Sequence, residues 1–486
     1  MTDLCIRLGG AEGGRRHGSL GRCLGPVALC AALICLSAAS TGAVQWPWMR
    51  DEGPPSYPEI TATADWVAAR AGDGELVVLD GRPAAEYAAG HIPGAVSAPP
   101  GAIPIGPPSD LGKIAEAFAS LGVTGRGQIV CCGASALDAD AAALFWALEA
   151  AGAESPMLLA GGFEAWTSGG REVERDAVVL SPDTWTGSPR DERLASAAYV
   201  ALKFGVDGHE IIDTRGWDTW SGERGEAGMD KGERRGHIPH ALPYDFSEFL
   251  KADGSLGTPE ETRETFSRTG PRPSSPVDLE DEFVVYGRGG AEGAVGYFLL
   301  RRAGVEKLRY FPGGWSQWGG DRSLPFVRIA GPDELLERVR RSRRWLRPDA
   351  PPEDFILFDV RHWGDHAVGH IPGAVALSSS FFADSLDVYL ERHWPDADRT
   401  VTPVVTYCYG SNCIRSRNTA TEAARQGFVH VERFYEGVEG WRLVGGELLR
   451  DEVRLEAMRR EREEARRKAE ARRAAESEER TREAAD

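Results

Sequence analysis

Three segments of this chain repeat one another, and that repetition limits the possible folds more than any other feature. Val77-Val78-Leu79-Asp80-Gly81-Arg82, followed by Gly90-His91-Ile92-Pro93-Gly94-Ala95, returns as Ile211-Ile212-Asp213-Thr214-Arg215 with Gly236-His237-Ile238-Pro239-His240-Ala241. It returns again as Leu357-Phe358-Asp359-Val360-Arg361 with Gly369-His370-Ile371-Pro372-Gly373-Ala374. Each copy has a second half, spanning Gln128 to Trp166, Phe283 to Trp318 and Val404 to Trp441. In each half an apolar strand, a short loop, a helical pattern such as Ala141-Leu144-Leu148 and a second strand lead to a Gly-x-x-x-Trp close. Apolar runs alternating with helical patterns imply a parallel sheet, because the crossover helices that connect parallel strands also cover both faces. The length of 486 residues agrees with three such domains at roughly 150 residues apiece.

Composition narrows the function classes. The chain is 42% hydrophobic and 27% charged, which excludes a wholly disordered or multi-spanning protein. Asp+Glu number 74 against 56 Lys+Arg, a net charge of -18, so a broad nucleic-acid surface is not expected.

The N-terminus reads as an export signal. Arg15, Arg16, His17 and Arg22 precede an apolar run from Leu24 to Ala39, and Ser37, Ala39, Thr41 and Ala43 then offer small-residue cleavage sites. The apolar run, about 15 residues, is shorter than the roughly 20 of a membrane-spanning helix. Residues 1–43 are therefore expected to be a signal peptide and the protein periplasmic or secreted, with an uncleaved anchor as the alternative. Cys5, Cys23, Cys30 and Cys35 fall in this segment, leaving Cys131, Cys132, Cys408 and Cys413. Two close pairs in so long a chain suggest local chemistry and not a disulfide scaffold.

The repeated Asp-x-Arg, Gly-His-Ile-Pro-x-Ala and Gly-x-x-x-Trp marks make each copy resemble a rhodanese domain. The resemblance implies α/β domains, each a parallel sheet with helices on both faces, at 57–180, 192–328 and 331–448, followed by a charged helical tail at 450–486. It also implies supporting roles for Asp359, Arg361 and His370 and for their counterparts Asp80, Arg82, His91, Asp213, Arg215 and His237. A rhodanese-type reaction needs a cysteine thiolate directly after a strand, in a loop whose amides and helix N-terminus stabilise negative charge.

The third copy meets that requirement. Cys408 follows the strand Val404 to Tyr407, and the segment Tyr409-Gly410-Ser411-Asn412-Cys413-Ile414-Arg415-Ser416-Arg417 leads to a helix expected over Asn418 to Gln426. Cys408 is the expected nucleophile. Tyr409, Gly410, Ser411, Asn412, Cys413, Arg415, Ser416 and Arg417 are the expected loop and substrate-binding residues, in a loop longer than the common family form. The second copy has Gly287 at the nucleophile position and is expected to be inactive. In the first, Cys132 is read at that position, but Asp138 and Asp140 oppose a thiolate there, so this copy is expected to contribute little. Its neighbour Cys131 is expected to turn toward the sheet.

These residues imply an exported sulfurtransferase, moving sulfur from thiosulfate or a persulfide donor to a thiol, sulfite or cyanide-like acceptor through a Cys408 persulfide, without metal or cofactor. A non-catalytic sulfur-carrier or protein-binding scaffold is the alternative. Phosphatase or arsenate reductase chemistry ranks lower, because the arginines do not reproduce a Cys-x5-Arg loop. The Arg-, Glu- and Ala-rich tail from Arg450 pairs charges at i,i+4 without an apolar seam, and reads as a solvated helix available to a protein partner. Linkers are expected at Ser181 to Asp191 and at Arg340 to Glu353.

Overall fold

The computed structural model describes residues 60–70, 74, 76–225, 234–269, 277–342 and 354–483, with side chains described up to residue 473. The expected signal segment, and the prolines Pro348, Pro351 and Pro352 of the second linker, lie outside the described residues.

Three parallel sheets form among them. In domain 1, β1 (Thr61–Ala62), β2 (Leu76–Asp80), β3 (Val96–Ser97), β4 (Gln128–Cys132) and β5 (Ser155–Leu159) are ordered β1-β5-β4-β2-β3. In domain 2, β6 (His209–Asp213), β7 (Leu242–Pro243), β8 (Glu282–Tyr286) and β9 (Leu308–Tyr310) are ordered β7-β6-β8-β9. In domain 3, β10 (Phe326–Ile329), β11 (Ile356–Asp359), β12 (Val375–Ala376), β13 (Val404–Tyr407) and β14 (His430–Phe434) repeat the order of the first sheet. Every residue of β13 is buried, as a central strand covered on both faces requires.

The repeated motifs are closures. Trp166, Trp318 and Trp441 are buried, and their indole N–H groups donate to the carbonyls of Glu172, Pro325 and Glu447. The chain just beyond then pairs with the histidine of Gly-His-Ile-Pro in antiparallel bridges, His91 with Glu174, His237 with Val327 and His370 with Leu449. Each imidazole stacks on a ring one helical turn or more upstream, Tyr87, Trp220 or His366, and its Nδ1 meets that residue's carbonyl. Burial drives the His370 pKa down to about 4, so its ring is neutral at pH 7.

The boundary between domains 2 and 3 differs from the sequence expectation. Strand β10, divided by a boundary at 328/331, pairs along its length with β14 while its Val327 bridges His237. One strand closes domain 2 and opens domain 3. The first expected linker is also no free tether: Trp185 stacks on Phe118 and donates to the Ala151 carbonyl, and Thr186 donates to Thr124. The tail forms the helix Glu452–Glu483, whose first turns touch the helix Trp363–Val368 through Arg454 over the Trp363 ring. Beyond Met458 its described side chains are exposed.

Candidate active site

The Asp-x-Arg pairs build the same brace three times. Arg82, Arg215 and Arg361 each hold the aspartate two residues earlier through Nη2 at 2.6 Å and donate to the carbonyl of Gly90, Gly236 or Gly369. In domains 2 and 3 a tyrosine at the end of the central strand joins in, Tyr286 to Asp213 and Tyr407 to Asp359. Burial raises both phenol pKa values well above the ordinary range, so these tyrosines remain protonated donors. In domain 3 Asp359, Arg361 and Tyr407 are all buried.

This brace corrects the alignment of the loops. In the strand ladders Asp359 pairs with Tyr407, Asp213 with Tyr286 and Asp80 with Cys132. Cys132 therefore matches the tyrosines, and Gly133 matches Gly287 and Cys408. The loop carbonyls agree: Gly133, Gly287 and Cys408 accept from the N–H of Phe163, Trp315 and Val438, each the residue after a left-handed glycine. Cys132 is not at the nucleophile position. It is the last residue of β4, fully buried, with its thiol pKa pushed well above normal first by burial and then by Asp80. Cys131 is equally buried, on the opposite face in the core shared with domain 2. A sequence signal for the correct alignment existed: Trp441 follows Cys408 by 33 residues, and Trp166 follows Gly133 by 33 but Cys132 by 34.

The first two loops are also filled. A Cβ placed on Gly133 would lie 2.3 Å from the Asp138 side chain, which caps the helix Ala139–Ala151 and accepts from Ala134 N–H at 3.0 Å. A Cβ on Gly287 would meet Gly293 N at 2.6 Å, and the Tyr310 hydroxyl bridges Gly293 N–H and the Gly290 carbonyl. In both, the loop's own groups occupy the space and donors that a reacting sulfur needs. Asp138 therefore acts chiefly by occupying the loop, and burial outweighs it in suppressing the Cys132 thiolate.

Only the third loop carries a cysteine at the matched position. Cys408 is 1% exposed at the end of β13; within the loop Cys413 N–H donates to the Gly410 carbonyl at 3.0 Å, and the Cys408 and Tyr409 carbonyls accept from Val438 and Glu439 N–H. Cys408 and Cys413 are joined as a disulfide, with Cα atoms 6.3 Å apart. The helix begins at Ile414, four residues before the expected start, with Cys413 at its N-cap. This places Arg415, Ser416 and Arg417 in the first helical turn and changes their roles. Arg415 is exposed, as are Ser411 and Asn412. Ser416 is buried; its hydroxyl meets the Cys413 carbonyl at 3.5 Å and accepts from Arg433 Nε at 3.0 Å. Arg417, expected to help hold substrate, turns instead to domain 2, donating to the His240 carbonyl at 2.5 Å and pairing with Glu210 at 3.8 Å. Tyr409 extends outward and donates to Asp365 at 2.7 Å. Gly410 leaves room for Glu439, whose Oε2 would lie 2.4 Å from an added Cβ.

Arg433, which sequence reasoning passed over, supplies the buried positive charge of this site. From β14 its Nη2 donates to the Cys413 carbonyl at 3.2 Å, and among the described residues it has no ion-pair partner. Burial lowers its pKa to about 10, against the opposing pull of Tyr435 and Glu436, so it stays cationic at neutral pH. The matched positions are Leu158 and Tyr310, so this cation belongs to domain 3. Its guanidinium lies over Tyr435, whose ring meets Trp217 of domain 2 at 5.3 Å. Domain 2 thus reaches Tyr435, the neighbour of Arg433, through Trp217 and braces the helix after the loop through His240.

The sequence matches the rhodanese-like domain family over residues 63–169, 196–321 and 343–443. It is 28% identical over 278 residues to 3-mercaptopyruvate sulfurtransferase of Escherichia coli, covering 54% of this chain and 95% of that protein. It is 30% identical over 287 residues to thiosulfate sulfurtransferase of Corynebacterium glutamicum, covering 56% of this chain and 91% of that protein. In fold it is similar to the solved structure of wild-type EanB, with a TM-score of 0.50 at 19% identity, covering 57% of this chain and 72% of the other. The triple match, the shared sheet order of domains 1 and 3 and the threefold Asp-Arg brace lead to one conclusion: the chain belongs to the rhodanese-like family and carries three copies of its domain.

Proposed function

We propose that this protein is a sulfurtransferase in which domain 3 performs the chemistry and domains 1 and 2 support it. The reduced Cys408 thiolate attacks the outer sulfur of thiosulfate; the sulfur–sulfur bond of the donor breaks, sulfite leaves with the electron pair, and Cys408 holds a persulfide. A thiol, sulfite or cyanide-like nucleophile then takes the outer sulfur and restores the thiolate. One observation carries this reading: of three matched loop openings, two are glycines with filled loops and the third is Cys408, in a loop whose Cys413 carbonyl is held by the buried Arg433. Arg433 and the exposed Arg415 suit a doubly charged donor. Phosphoryl chemistry fits less well, because Arg417 is committed to domain 2.

The test uses protein reduced and then freed of reductant. Thiosulfate should release sulfite, about one equivalent per protein in a single turnover, and Cys408→Ser should lose this release by over about 100-fold. Sulfite release that survives in Cys408→Ser would remove the basis of the proposal. The export reading rests on residues 1–43, and mature protein from the native host beginning before Leu24 would overturn cleavage of that segment.

A further inference from the structure

The second cysteine of the loop gives the site a different outcome from simple transfer. We propose that Cys413 resolves the Cys408 persulfide, so that in the absence of an acceptor the protein reduces sulfane sulfur to sulfide and closes the Cys408–Cys413 disulfide. This inference rests on the sulfurtransferase reading and extends it to a thiol-dependent sulfide-releasing activity.

Four observations carry it. Cys413 Sγ bonds to Cys408 Sγ in the folded loop, so the two sulfurs meet with both flanking elements, β13 and the helix Ile414–Arg425, in place. Cys413 is fixed at that position: its N–H donates to Gly410, and its carbonyl is held by Arg433 and Ser416. The two sulfurs also differ in access, Cys408 being 1% exposed and Cys413 half-buried. Neither matched loop of the other domains has a cysteine at either position, so the pair is confined to the loop that can form a persulfide.

The steps balance. Thiosulfate and the Cys408 thiolate give the persulfide and sulfite, as above. The Cys413 thiolate then attacks Cys408 Sγ; a bond forms between the two cysteine sulfurs, the persulfide bond breaks, and the outer sulfur leaves as hydrosulfide. The two cysteines are oxidised by two electrons and the sulfane sulfur is reduced by two. In sum, two thiols and thiosulfate yield a disulfide, sulfite and hydrogen sulfide. An external dithiol resets the site by attacking the more accessible Cys413 Sγ, which makes Cys408 the leaving thiolate and returns the nucleophile directly.

A single-turnover experiment separates this proposal from the one beneath it. Reduced full-length protein, freed of reductant, receives one equivalent of thiosulfate without acceptor; sulfite, sulfide and intact mass are measured. The expected result is sulfide and sulfite in a ratio of about one, with the protein about 2 Da lighter as the disulfide forms. In Cys413→Ser the sulfide-to-sulfite ratio should fall below about one-tenth, and the protein should instead carry about 32 Da on Cys408. Wild-type protein that keeps the added sulfur and releases no sulfide overturns the resolving role while leaving transfer intact. Undiminished sulfide from Cys413→Ser overturns it as well. Absence of sulfite and of any mass change in the reduced wild-type protein would instead bring down the transferase reading itself, and this inference with it.

Discussion

Gly437 offers a way to disturb the candidate nucleophile without touching its chemistry. Its φ is +56°, and an added Cβ would lie 2.5 Å from the Cys408 carbonyl oxygen, where ordinary contact begins at 3.4 Å. Gly437→Ala therefore forces the Cys408 carbonyl or the Gly437 backbone to give by about 0.9 Å, in addition to a left-handed conformation costing an alanine about 1 kcal/mol. The expected total is about 3 kcal/mol of lost stability, within the range for strain at special backbone positions. A shift of this size at the reacting group should slow sulfite release by about 100-fold. Domain 1 contains the control. Gly162 has φ +61°, and a Cβ there would lie 2.7 Å from the Gly133 carbonyl, so Gly162→Ala inflicts similar damage on a loop without a nucleophile. The assay is single-turnover sulfite release at a temperature where urea titration shows both variants folded. Gly437→Ala should lose the rate and Gly162→Ala should keep it within about twofold while losing comparable stability. Equal losses of rate in the two variants would refute the assignment of chemistry to domain 3.

Other perturbations test the remaining parts of the argument. Arg433→Leu should shift the alkaline-going limb of the pH–rate profile upward by about 1–3 units, because removing a nearby cation disfavours the thiolate, and Arg433→Lys should recover part of the shift; a slower rate with an unmoved midpoint would mean that Arg433 only props up the loop. Cys132 should resist iodoacetamide in the native protein and react on denaturation, and Cys132→Ala should leave transfer within about twofold, checked by mass mapping and sulfite release. Glu432 is buried, which alone would raise its pKa, yet the His430 hydrogen bond and the Arg338 and Arg328 charges bring it down to about 2. Its folded pKa is below the unfolded value of about 4.3, so its contribution is present above pH ~4.3 and is lost as pH falls toward ~2. Urea titrations across that window should show Glu432→Gln less sensitive to acid than wild type by up to about 3 kcal/mol, and an identical acid dependence would show that this network does not govern the acid limb.

What the sequence alone determined was whatever repeats along the chain. Three copies of a strand, a Gly-His-Ile-Pro turn and a Gly-x-x-x-Trp close suffice for three parallel α/β domains, since each motif acts within its own copy and its spacing survives in the primary structure. Gly287 likewise shows in the sequence that no side chain stands at the loop opening of domain 2, and Cys408 stands out at a strand end. What the tertiary structure decided lies between segments far apart in the chain. Whether Cys132 or Gly133 opens the first loop depends on which residue faces Asp80 across the ladder, and adjacent cysteines leave that one-residue choice open in a local reading. Arg417 looks like a loop cation until the helix is seen to start at Ile414, which turns its side chain toward Glu210 and His240. Arg433 looks like an ordinary strand residue until β14 packs beneath the loop and buries its charge against the Cys413 carbonyl. Strand β10 serves two domains because its two edges meet different partners, His237 and β14. Pairing across a sheet and desolvation of a charge are set by distant neighbours, and no local pattern of residues encodes them.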